Sequence, residues 1–128
     1  MIYLTIVSLI TIFHSYLDSV KIKNQVHIDH FWRTTIWFFV CMTPVPFLDS
    51  FNFYSIWAVS SLIVVRTALF DYSLNHFRNL RLNATSIKTG SFWDKLKQKH
   101  GINENLVRQI ALSVLIFLYI TAIVKNVL

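Results

Sequence analysis

The stretch TTIWFFVCMTPVPFLDSFNFYSIWAVSSLIVV, residues 34–65, decides how this chain folds. Its 32 residues hold a single charge, Asp49. A helix rises about 1.5 Å per residue, so one unbroken rod would reach about 48 Å, well beyond a hydrocarbon layer of about 30 Å. Two short spans fit better. Pro44, Pro46, Asp49, Ser50 and Asn52 gather in the middle, and these residue types make turns. The run therefore predicts a helical hairpin, residues 31–48 leading out and 51–70 leading back, with a tight turn near Asp49. A single re-entrant loop is the alternative.

Flanking segments extend the pattern. Residues 1–17 carry no formal charge and cover about 26 Å as a helix, enough for a short crossing. No positive n-region or small-residue cleavage site precedes them, so they read as a retained span. Residues 109–124 supply a last apolar span. The chain is 55% apolar and 14% charged, with mean hydropathy +0.52; a soluble domain of 128 residues would leave much of that surface exposed. The expected fold is an all-α membrane protein, one domain over 1–128. It is a bundle of four transmembrane helices (about 1–17, 31–48, 51–70 and 109–124) with a short amphipathic cytoplasmic helix. Residues 18–30 and 71–108 form the cytoplasmic loops.

Charge sets the orientation. Of twelve Lys and Arg residues, eleven lie in two stretches: Lys21, Lys23 and Arg33, then Arg66, Arg78, Arg81, Lys88, Lys95, Lys97, Lys99 and Arg108. Short loops rich in Lys and Arg stay on the cytoplasmic side. Four spans put both basic stretches inside and both termini outside, whereas three would strand one stretch on the wrong face. The expected location is the bacterial cytoplasmic (inner) membrane. The net charge of +6 matches attraction to anionic lipid headgroups; no nucleic-acid motif accompanies it. The lone Cys41 lies in an apolar run and offers neither a disulfide nor a metal knuckle.

Within the second basic stretch, SFWDKLKQKHG (residues 91–101) reads as an amphipathic helix. Ser91 and Asp94 fit a capping box, and Gly101 a C-terminal stop. Phe92, Trp93 and Leu96 form an apolar stripe opposite Lys95, Lys97 and Lys99, a pattern suited to lying on the inner leaflet. A solvated basic helix against the bundle is the alternative. Asn103 or Asn105 caps the last helix.

Polar residues gather where the first three spans meet the inner face. His14 and Asp18 are one helical turn apart, so Asp18 is placed to hydrogen-bond His14 and fix its tautomer. His27 and His30 flank Asp29, and Asp71 and Asn75 share a face ahead of His76 and Arg78. Arg66 falls near the inner end of the third span, where its side chain reaches the headgroups. Two readings stand. In one, His14, Asp18, His30 and Asp71 hold a divalent metal or, with His27, relay protons. In the other, Asp18, Asp29 and Asp71 pair with Arg33, Arg66 and Arg78 and fix helix register. The histidine boxes of membrane di-iron enzymes, HExxH, GxSxG and the P-loop are all missing from the sequence, so the motifs lean against an enzyme without deciding the matter, and no cofactor is called for beyond that metal.

HSYLDSVKIKNQVHIDHFW and RTALFDYSLNHFRNLR, followed by the Ser and Asp of SFWDK, resemble small uncharacterised integral membrane proteins of Bacteroidetes and their phages. The matching positions are His14, Asp18, His30, Arg66, Asp71, Asn75 and Arg78. The resemblance implies a membrane fold and no particular activity. Where that pattern has Gly after the Arg, this chain has Asn79, which leaves a tight turn there open.

Three functions fit these features. The first is an accessory or structural component whose cytoplasmic face binds lipid, a protein partner or further copies of itself. The others are a membrane-embedded metal-dependent enzyme and a holin-like or pore-forming effector.

Overall fold

A computed structural model describes residues 2–43, 53–84 and 92–125; the side chains of residues 30, 53–56, 92–94, 97 and 125 lie outside the described set. So does the turn expected over 44–52. Every regular element among the described residues is helical: α1 (Ile2–Lys23), α2 (His30–Met42), α3 (Phe53–Val65), a π-helical turn (Arg66–Phe70), α4 (Asp71–Phe77), α5 (Phe92–His100) and α6 (Glu104–Lys125). Among the described residues three helical stretches are long and apolar enough to cross a membrane: Ile2–Lys23, Trp57–Phe77 and Glu104–Val124. Helix α2 has 13 residues, about 20 Å, so the described part of the expected second span is short of a full crossing.

The helices run further at the basic end than hydropathy alone predicts. Helix α1 continues to Lys23, past the expected span over 1–17, and the α3–α4 rod reaches Phe77, past the expected span over 51–70. Packing carries them on: Asp18 and Ser19 are buried, and Tyr16 meets Phe77 edge-to-face at 5.3 Å. Lys21 and Lys23 fall in the last turn of α1, where cations favour the helix dipole.

Local chemistry sets the ends. Asp29 Oδ1 accepts from the N–H groups of Phe31 and Trp32 and caps α2; Asn103 Oδ1 accepts from those of Asn105 and Leu106 and caps α6. Two ends use the same backbone reversal. At α1, Val26 N–H reaches Lys21 O and Gln25 N–H reaches Ile22 O, with Gln25 left-handed at φ 56°. At α4, Leu80 N–H reaches Asn75 O and Asn79 N–H reaches His76 O, with Asn79 also at φ 56°. These are the paired bonds of a Schellman C-cap. The tight turn left open at Asn79 is therefore made, because Asn tolerates the left-handed region better than most residues. The predicted stop at Gly101 is likewise left-handed, at φ 61°.

Side-chain contacts give the helix directions. Tyr3, Thr11 and Asp18 of α1 meet Cys41, Trp37 and Arg33 of α2 in reverse order, so this pair is antiparallel. His14 and Tyr16 meet Phe70 and Phe77, so α1 and the α3–α4 rod are parallel. Helix α6 runs against both, since Ser8 meets Tyr119 while Asp71 meets Arg108. The α1 end at Lys23, the start of α2, α4 and the start of α6 thus share one end of the bundle.

The polarity of the core is inverted relative to a soluble bundle. Helix α1 buries Ser8, Thr11, His14, Ser15, Asp18 and Ser19 beside Leu4 and Val7, and exposes Ile2, Ile6, Leu9, Phe13, Leu17 and Val20. Helix α6 buries Ala111, Leu115 and Ala122 and exposes Ile110, Phe117, Ile120 and Ile123. Small and hydroxylated residues inside with large apolar ones outside is how helices associate in lipid, where close approach replaces the hydrophobic effect. The buried hydroxyls are satisfied locally: Thr11 and Ser15 donate to the carbonyls of Val7 and Ile12.

Candidate polar site between the helices

Two ion-pair clusters fasten the shared end. In the first, Arg33 Nη2 lies 2.7 Å from Asp18 Oδ1, with the carboxylate side chain 4% and the guanidinium 18% exposed. The approach is off the hydrogen-bond direction, leaving both atoms without an aligned bond, so this is a charge contact joining α1 to α2. In the second, Asp71 Oδ2 accepts from Arg108 Nε at 3.1 Å and stands 2.9 Å from Nη2 of the same guanidinium. The Arg108 guanidinium also donates to Glu104 Oε2 and Ala84 O. Asn75 Nδ2 donates to the carbonyls of Leu82 and Ala84 at 3.0 and 2.9 Å, tying the chain after α4 back onto it.

Arg66 is the tenth residue of the 21-residue Trp57–Phe77 helical stretch, directly after α3. Its side chain lies among rings and a hydroxyl of α2 and its own helix. The guanidinium carbon stands 4.9 Å from the Trp37 ring centroid and 4.4 Å from that of Phe70; ring faces of this kind attract cations. Nη2 donates to Thr34 Oγ1 at 3.0 Å, and Trp37 Nε1 donates to Thr11 Oγ1 at 3.0 Å. The π-helical turn begins at Arg66 and ends at Phe70, and such turns frequently mark functional sites.

His14 also meets Phe70, its ring centroid 5.6 Å away and tilted by 45°. The residue is 8% exposed, and neither ring nitrogen makes a hydrogen bond among the described residues. The expected His14–Asp18 hydrogen bond is therefore not made: Asp18 turns to Arg33, whose full charge attracts it more strongly than a neutral imidazole does.

The remaining expected residues scatter. Asp29 caps α2 and does not pair with an arginine. His27 is exposed between α1 and α2, His76 is exposed, and Arg78 closes α4 at its C-cap. The His30 side chain lies outside the described residues. Among those residues no three of His, Cys, Asp and Glu gather at metal-ligand spacing; Asp18 and Asp71 belong to different clusters, each held by its own arginine. Arg108, the hub of the second cluster, was not among the expected residues. Its one sequence signal is Glu104 four residues earlier. On α5, Lys95 and Lys99 are exposed and Leu96 is half-buried, while the side chains of Phe92, Trp93 and Lys97 lie outside the described residues, as does the expected Ser91–Asp94 capping box.

No protein-family model matches the chain, and neither a curated protein nor a solved structure matches it.

Proposed function

We propose that this protein is an accessory or structural component of the bacterial cytoplasmic membrane, crossing it four times with both termini outside. Its basic inner end engages anionic headgroups, and a protein partner or second copy docks on the same face. The observation that carries this reading is how the carboxylates are used. Asp18 and Asp71 join α1 to α2 and α4 to α6, so both aspartates are used to fasten helices to one another. Lys95 and Lys99, one turn apart on α5, stay exposed. Each such cation near an anionic leaflet contributes about 1 kcal/mol of attraction. Four crossings agree with the parallel course of α1 and the α3–α4 rod, because the chain between them must return along the bundle.

Tryptic cleavage at Lys95 and Lys99 in reconstituted bilayers tests the proposal. Bilayers containing phosphatidylglycerol should protect these sites, phosphatidylcholine bilayers should not, and high salt should abolish the protection. Equal cleavage in the two lipids would end the headgroup reading.

A further inference from the structure

We propose that the turn between α1 and α2 anchors the protein in the surface layer of an anionic lipid bilayer, with Phe31 and Trp32 seated among the lipid glycerol groups and Lys21 and Lys23 on the lipid phosphates. The inference rests on the headgroup reading above and adds a contact that does not involve α5.

The exposed surface changes character at this turn. From Ile6 to Val20 the exposed side chains of α1 are all apolar or aromatic, and past them the chain exposes Lys23, Asn24, Gln25 and His27 around Val26. On α2 the order is reversed: Asp29 is exposed first, then Phe31, Trp32, Ile36 and Phe39. Two antiparallel helices thus switch from polar to apolar surface at the same end of the bundle. A passage from headgroups into hydrocarbon calls for that switch on every outer face.

The Asp18–Arg33 contact puts the two helices in register. Val20 lies two residues past Asp18, and Phe31 two residues before Arg33 on the antiparallel partner, so both stand about 3 Å beyond that contact along the axis. Lys23, five residues past Asp18, reaches about 8 Å. The aromatic pair therefore lies just inside the cations, the order found in the interfacial belt of membrane proteins. Phe31 is 72% and Trp32 61% exposed, and their rings meet edge-to-face at 5.8 Å. Charge favours phosphate. Over residues 18–33 the cations Lys21, Lys23 and Arg33 stand against Asp18 and Asp29; Arg33 takes Asp18, and Asp29 is turned to the first N–H groups of α2. Lys21 and Lys23 keep a surplus of one positive charge. The end of α4 on the same side adds Arg78, and its Asp71 is held by Arg108.

Trp32 reports its own depth. With the full-length protein in bilayers containing nitroxide-labelled lipid, the emission lost on Trp32→Phe belongs to Trp32, and that substitution alters an exposed ring while leaving buried Trp37 in place. A nitroxide near the glycerol should quench this emission more than one at the chain end. At equal content, phosphatidylglycerol labelled near the glycerol should quench about twofold more than labelled phosphatidylcholine, and Lys21→Gln with Lys23→Gln should remove that preference. Quenching as strong from the chain end would place Trp32 in the hydrocarbon interior and overturn the proposal. No quenching from either label would put the turn in water or under another protein and overturn it as well. Equal quenching by the two headgroups before substitution, or a preference that survives loss of both lysines, would overturn the phosphate contact. Should phosphatidylglycerol still protect α5 from trypsin while Trp32 fails, this inference falls alone; should neither respond, the headgroup reading falls with it.

Discussion

Asp18 and Arg33 are the pair whose removal most directly tests what holds α1 to α2. Both side chains are largely buried, and stripping one partner leaves the other's charge without compensation. Asp18→Asn should lower stability by about 3 kcal/mol, the lower end for a buried pair because Arg33 keeps some exposure. Arg33→Gln added to it should recover part of the loss, a coupling read from a double-mutant cycle of unfolding midpoints. Strict additivity would contradict the pairing. The one-turn spacing of His14 and Asp18 made their shared face legible in the sequence. The pairing of Asp18 with Arg33 was among those the sequence offered; what was not legible is that Asp71 takes Arg108 in place of Arg78 and that Asp29 caps a helix. Such choices depend on helix rotation and rise, which a linear pattern does not carry.

At the scale of elements, boundaries follow capping chemistry more closely than hydropathy. The ends of α1 and α4 rest on left-handed Gln25 and Asn79, and Asn79 fills the place of a glycine by adopting the same φ. Asn79→Gly should therefore be neutral or slightly stabilising, while Asn79→Val should cost about 1–2 kcal/mol, because a β-branched residue resists positive φ. Thermal midpoints of the two variants check this, and equal midpoints would contradict the cap. Asn103 capping α6 and the stop at Gly101 were readable from residue type. The π-helical turn was not readable: Arg66–Phe70 contains neither Pro nor Gly. Its correlate is the stacking of Arg66 on Phe70 and Trp37, a tertiary contact.

For the whole molecule, the inverted polarity of α1 and α6 and the clustering of basic residues at one end describe the same architecture from two directions. Apolar side chains face outward where lipid would be, and the polar stripe of α1 faces its neighbours. Membrane character was legible because long uncharged runs have few other uses. The number of crossings turns on residues 34–65, where the described α2 is short and the parallel α1 and α3–α4 rod require a return. Cysteine accessibility tests this most directly. In a Cys41→Ala background, Asn24→Cys after α1 and Gln98→Cys on α5 would each be exposed to a membrane-impermeant maleimide in right-side-out vesicles and again after permeabilisation. Four crossings with the basic end inside predict that both positions stay unlabelled in sealed vesicles and react once the membrane is opened. Labelling of either position from outside would contradict the account.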